Sequence, residues 1–489
     1  MSNTSRRVVI SCAILSAAII LCVGVIGVAG ISIFTFFPPA ASQQVSSPSP
    51  VDTNTPEVGP QPGETGQPTP LPSLETPPSG ETLVGPTPQA ALPVDITHQM
   101  DEIQAQVVEQ RGLEPLEPVD RYLLTPEQLR TRVMEDFLED YTQEDAQDDA
   151  KVLAAFGLLE PDFELYDFYI ELFSEQVVGF YDSQTKEMYI IQGSGFAGPE
   201  RLTYAHEFVH ALQDQHYQIE EGLRYNDDYC ELNTDYCAAV SSLLEGDASL
   251  LELQWLYTYA SEQDIRDIQE FYQTYESPVF ESAPSYLRED FIFPYRAGQA
   301  FVESIFEQSG WAGVDEVYAN PPVSTEQILH PERYPDVLPV EVELPDLLPG
   351  LGQGWRELDR NLWGEWYTYL TLAEGLDEAA RLEPAEAELA ADGWAGDAYL
   401  IYYNDETNQL VLVLKTIWKN ETEAAQFGEA FQRYAGARFG VQPASGPSTW
   451  EWENGEIFSR LELDQEVTTW IIAPQRETID LIQERIAIP

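Results

Sequence analysis

The sequence predicts an α+β protein: a mainly helical part with a small β-sheet edge, then a C-terminal α+β domain whose elements run ββα-ββα. Three observations predict this. Apolar residues recur at helical spacing over most of residues 94–337, interrupted by one hairpin pattern. A Pro- and Gly-rich stretch at residues 338–354 breaks that pattern. Beyond it, two helical stretches lead into short β-branched and aromatic runs that alternate with helical ones through residues 355–489.

Residues 1–7 carry Arg6 and Arg7, and the 30 residues from Val8 to Phe37 carry no charge. About 20 apolar residues span a bilayer as a helix. Basic residues before the run, and none soon after it, place residues 1–7 in the cytoplasm and everything after residue 37 outside. The expectation is a single-pass anchor in the cell membrane. A cleaved signal peptide is the alternative, although no small-x-small cleavage site follows the run. Residues 38–93 hold 15 of the 35 prolines, among Ser, Thr, Gly and Gln. That composition buries no core and reads as a disordered, extended linker, a stalk between membrane and globular part.

Patterning starts near Val94. Ile96 to Gln110 and Pro126 to Tyr141 read as amphipathic helices, Val119 to Leu124 as a strand, and Ala150 to Leu159 as helical. Val177 to Tyr181 and Met188 to Ile191, joined by Asp182-Ser183-Gln184-Thr185, read as a β-hairpin. Pro199 opens a helix to about His216. Helices follow at Ala238 to Tyr259, Gln263 to Tyr275 and, after a proline-rich loop, Tyr295 to Ser309. In the C-terminal domain, strands are expected at Tyr399 to Tyr403, Leu410 to Trp418, Trp450 to Trp452, Phe458 to Leu463 and Val467 to Ile472. Helices are expected at Glu421 to Tyr434 and Thr478 to Ile486.

With 24 basic and 84 acidic residues the net charge is −60. This excludes nucleic acid as a partner, because phosphate binding needs a basic surface, and it disfavours docking on anionic lipid. Four cysteines are too few for a disulfide scaffold. Cys230 and Cys237, seven apart in an acidic loop, are expected to pair if that part lies outside the cytosol. The acids of that loop, Asp227, Asp228, Glu231 and Asp235, lack the spacing of an EF-hand calcium site.

The chemistry concentrates in His206-Glu207-Phe208-Val209-His210, an HExxH. With five histidines in 489 residues an accidental match is rare. On a helix, positions i and i+4 share a face, so both imidazoles reach one ion. Glu207 lies beside them, placed to take a proton from a water at the metal. A catalytic site wants a third protein ligand, which should come from a neighbouring helix. Glu245, in Leu243-Leu244-Glu245-Gly246-Asp247-Ala248, is an acid in an otherwise apolar helix and costly to bury unless paired or metal-bound. Asp247 competes for the role, but it points about 200° away around the helix.

HExxH followed by Glu245-Gly246-Asp247-Ala248 (ExxA) resembles the gluzincin zinc metallopeptidases, the thermolysin-like or peptidase MA group. The hairpin Gly179-Phe180-Tyr181-Asp182 to Met188-Tyr189, and the helix continuing as Ala211-Leu212-Gln213-Asp214-Gln215-His216, look like its membrane-anchored prokaryotic branch. The resemblance covers roughly residues 165–335. It implies a zincin-like catalytic domain, Zn2+ as cofactor, His206, His210 and Glu245 as ligands, and Glu207 as general base. Thermolysin-like enzymes orient a ligand histidine with an aspartate four residues after the ligand glutamate. Here that position is Ser249, so the orienting partner is open, with Asp214 a candidate. His216 points away from the two ligand histidines and reads as structural or supporting. The resemblance also includes a Tyr-xx-Gly helix start, here Tyr295 to Gly298, and a Ser-Thr-Glu-Gln-xx-His-Pro turn, here Ser324 to Pro331. Tyr295 and His330 are therefore candidates to hydrogen-bond the oxyanion of a tetrahedral intermediate. By analogy with the fold, strand Met188 to Ile191 is the edge that pairs with an extended peptide.

The resulting expectation is a membrane-anchored, extracytoplasmic zinc metallopeptidase acting on a peptide or protein substrate. The alternative is a non-enzymatic stalked surface protein, for binding or adhesion, on a zincin scaffold; an intact Glu207 counts against it. Substrate, oligomeric state and the role of the C-terminal domain are not legible in the sequence.

Overall fold

The computed structural model describes residues 17–19 and 92–486, apart from 139–140, 193–194 and 456. Of the expected anchor at 8–37, only Ala17–Ile19 (β1) falls among them, as a short strand. The rest of the anchor and all but the last residues of the stalk lie outside the described residues. Among the described residues no helix is long and apolar enough to cross a membrane.

The helical part begins with α1 (Val94–Arg111), which ends at Gly112 in the left-handed conformation. After β2 (Asp120–Leu124) come α2 (Gln143–Phe156) and α3 (Leu165–Gln176). Helix α2 starts seven residues earlier than its apolar pattern predicts, because Thr142 and Asp145 cap each other's backbone. The segment predicted as one helix from Pro126 to Tyr141 is instead a helix at Pro126–Arg132 running into a π turn at Val133–Phe137.

The expected hairpin is β3 (Val177–Asp182) and β4 (Glu187–Ile191), its turn held by Asp182 accepting from the amides of Gln184 and Thr185. Phe180 faces Tyr189 across it. Strand β2 runs parallel to the other side of β4, and β1 pairs antiparallel with β3. The order is β1-β3-β4-β2. This corrects the expectation that Met188 to Ile191 is an edge: β4 is paired on both sides and has no free edge to offer a peptide.

Helix α4 (Gly198–Tyr217) carries the HExxH; Pro199 sits in its first turn and the Glu200 side chain accepts from the Ala197 amide. Helix α5 (Thr234–Thr258) is capped by Asn233 and buried nearly all round, as its near-continuous apolar sequence dictates. After α6 (Glu262–Thr274), helix α7 (Ser285–Ala319) lies along α5. It begins ten residues before the predicted start and keeps Pro294 inside, with Gly310 non-helical at a kink. Burial of Tyr286, Leu287, Phe293 and Phe301 holds the helix together through the proline.

The C-terminal part adds β5 (Trp355–Asn361), α8 (Gly364–Ala373), β6 (Trp394–Asn404), β7 (Gln409–Trp418) and α9 (Glu421–Arg438). Strands β8 (Ala444–Ser445), β9 (Thr449–Glu453), β10 (Phe458–Asp464) and β11 (Val467–Ala473) precede the last helix, α10 (Arg476–Ile486). Its sheet is antiparallel throughout, in the order β5-β6-β7-β11-β10-β9-β8. The molecule is thus α+β, as the pattern predicts. The core does not stop at residues 338–354. Phe156 of α2 stacks on Trp363 at 3.5 Å, Phe293 of α7 stacks on Trp366 at 4.2 Å, and the Tyr434 hydroxyl donates to the Phe156 carbonyl.

Candidate metal centre

Helices α4 and α5 cross so that three donor atoms face one point. His206 Nε2 lies 3.2 Å from His210 Nε2 and 3.2 Å from Glu245 Oε2, and His210 Nε2 lies 3.5 Å from Glu245 Oε2. A tetrahedral ion with bonds of 2.0–2.1 Å separates its ligands by about 3.3 Å, which these spacings match. His206, Glu207 and His210 are fully buried and Glu245 is 2% exposed.

The tautomers are fixed from behind. His206 Nδ1 is 2.8 Å from Glu252 Oε2, a carboxylate that only accepts, so Nδ1 carries the proton. His210 Nδ1 is 2.8 Å from Gln213 Oε1, and the Gln213 amide nitrogen donates to the Leu244 carbonyl and to Asp247. That orientation leaves Oε1 to accept from His210. Both Nε2 atoms therefore present lone pairs, to each other and to a carboxylate oxygen. Three buried lone pairs this close repel unless a proton or a metal cation sits between them. The electrostatics agree. Burial opposes charge on His206, but the carboxylates of Glu245 and Glu252 outweigh it and push its pKa up to about 10. Burial raises Glu245, but the two imidazoles outweigh it and hold its carboxyl below its ordinary value. Positive charge is favoured at this point.

The orienting partner is Glu252, not Asp214. Glu252 lies seven residues after Glu245, two turns along the same face of α5. Asp214 accepts instead from the Tyr181 hydroxyl and pairs with Lys186. His216 Nε2 contacts the Glu114 carbonyl at 2.8 Å and plays no part in the centre. Asp247 faces away from the donor atoms, as its position on the helix predicts. It takes a two-pronged ion pair from buried Arg111 and a hydrogen bond from Tyr318, and so ties α1 and α7 to the Gln213 support.

Tyr295 is brought to the centre. It is 4% exposed, with its ring 6.5 Å from the His206 ring. Two glycines allow this. A Cβ on Gly298 would stand 2.0 Å from the Ser242 carbonyl oxygen, and one on Gly246 would stand 2.2 Å from the Gly298 carbonyl oxygen. Only glycine lets α5 and α7 touch backbone to backbone, one turn from Tyr295 and beside Glu245. Tyr225, which no motif marks, is also buried; burial, with the Glu245 carboxylate adding, holds its hydroxyl far above its ordinary pKa.

His330 is held elsewhere. Its Nε2 lies 2.7 Å from Glu365 and 3.3 Å from Asp392, beside Arg333, where the helical part meets the C-terminal part. A role for it at an oxyanion gains nothing from that position. His330, Glu365 and Asp392 also bring three donor groups together, but Arg333 already supplies positive charge to Asp392.

A family model described as a domain of unknown function (DUF8575) matches residues 353–483, the C-terminal sheet and its helices. No curated protein and no solved structure matches the chain.

Proposed function

We propose that the protein is a zinc-dependent metallopeptidase of zincin-like fold. The observation that carries this reading is the convergence of two imidazole lone pairs and a carboxylate at tetrahedral spacing, with a buried glutamate next in sequence to one ligand. His206, His210 and Glu245 would hold the ion, leaving one position open, as catalytic zinc sites do. When bound, zinc acidifies a water and polarises a carbonyl. Glu207 accepts a proton from the attacking water and returns it to the leaving amine. The Tyr295 hydroxyl is the group on hand to donate to the oxygen that becomes negative. Glu252 and Gln213 keep both imidazoles in the ligating tautomer.

Placement outside the membrane on an N-terminal anchor belongs to the same proposal. It is supported by the uncharged run at 8–37 and by the Cys230–Cys237 disulfide, a bond of oxidising compartments. The test is hydrolysis of a quenched-fluorescent peptide mixture by the purified chain. Wild type should cut it; Glu207→Gln should lose about 100- to 10,000-fold in kcat/KM while still binding zinc. Equal rates in the two proteins would remove Glu207, and the mechanism with it.

A further inference from the structure

The buried centre borders a cavity. A cavity of about 660 Å3 reaches Glu245 and Tyr295 from outside. That volume lies within the usual range of ligand-binding pockets, about 300–1,000 Å3. One wall is helical, from α2, α3 and α7. The opposite wall belongs to the C-terminal part: β5 from Arg356 to Asn361, then Trp363, Tyr367 and Tyr399. The two walls are clamped together where Arg356 makes a two-pronged ion pair with Asp148 of α2 and a second pair with Asp405.

The lining has a distinct chemistry. Nine carboxylates face two arginines, and both arginines are engaged, Arg356 as above and Arg360 with Glu357. Three half-buried carboxylates come from three elements: Asp149 from α2, Asp290 from α7 and Asp359 from β5. Each accepts from a neutral donor: Asp149 from Tyr141, Asp290 from Trp366, and Asp359 from Tyr399. They line the same cavity as the rings of Tyr169, Tyr286, Tyr367 and Tyr399. Like charges brought together in a partly enclosed space repel one another, and a cation relieves that cost. Aromatic faces add attraction for a guanidinium or ammonium group.

We propose that this cavity is the substrate chamber, that the C-terminal part forms its outer wall, and that it selects peptides carrying an arginine or lysine side chain lodged among Asp149, Asp290, Asp359 and the surrounding tyrosines. The inference rests on the metallopeptidase reading for the word substrate, but its charge selectivity is read by binding alone. The experiment uses the full-length chain with zinc and the Glu207→Gln substitution, which prevents turnover. A fluorescein-labelled octapeptide with one central arginine is compared, by anisotropy, with the same peptide carrying neutral citrulline. The arginine peptide should bind at least about tenfold more tightly, and the ratio should fall towards one in Asp290→Asn and in Asp359→Asn. Each substitution keeps one oxygen to accept from Trp366 or Tyr399, and circular dichroism of each variant checks that the fold is retained. Equal binding of the two peptides, or a preference that survives both substitutions, overturns the proposal. Cleavage of both peptides at equal rates by the wild-type chain overturns it as well and leaves the peptidase reading standing. Selective binding without any cleavage by wild type supports the chamber and overturns the peptidase reading alone.

Discussion

Each histidine of the candidate centre is defined by what stands behind it. Glu252 accepts a hydrogen bond from His206 Nδ1–H and Gln213 accepts one from His210 Nδ1–H, so both Nε2 atoms stay free to ligate. Loss of such a partner typically costs 10- to 100-fold in metal affinity. Glu252→Gln should therefore weaken zinc binding by about that factor in a competition titration with a chromophoric chelator, while Asp214→Asn leaves it unchanged. The reverse ranking would contradict the assignment. HExxH made His206, Glu207 and His210 legible because two histidines at helical spacing carry their own geometry. Glu245 was legible because a carboxylate in an apolar helix needs a reason. Glu252 and Gln213 were not, because one acid or amide among many in an acid-rich chain carries no signal until two helices cross.

The elements place these residues by close backbone approach. Helices α5 and α7 meet at Gly246 and Gly298, where any side chain would strike a carbonyl. Gly298→Ala should cost about 1–3 kcal/mol, the usual cost of overpacking, and should weaken zinc binding because Glu245 adjoins Gly246. Thermal melts with and without chelator check both; an unaltered melting temperature would show that the helices separate freely. Long periodic helices and the hairpin were readable from apolar spacing alone. Strand β5 was not: Trp355–Asn361 is mostly polar and lies at a sheet edge, so no two-residue alternation marks it. Helix α7 was foreshortened because Pro294 reads as a break, whereas burial along α5 carries the helix through it. The edge role expected of β4 failed because β2, far earlier in the chain, returns to pair with it.

At the scale of the molecule, the two sequence-defined parts share a core and several buried acids. Burial pushes Asp235 up to about 7 and Asp397 up to about 6. Their folded values lie above their unfolded ones, so the folded state binds more protons over the interval between. Stability is then fullest below about pH 4 for these groups and declines as pH rises through 6 and 7. His206 without metal acts in the same direction, its raised value losing its contribution as pH rises towards about 10. With metal removed by chelator, the melting temperature should be higher at about pH 5.5 than at about pH 8. A flat or opposite dependence would show that these carboxyls are hydrated and ionised in the folded state. Composition made the acidity plain, but not that residues 355–489 line the cavity at Glu245, because contacts such as Phe156 on Trp363 join residues far apart in sequence.

If His206, His210 and Glu245 form one zinc site, plasma mass spectrometry reads it as metal content. The purified chain should carry about one zinc, and His210→Ala and Glu245→Ala should each lose it. A wild-type chain that holds no metal, and takes up none when titrated with zinc, would contradict the account.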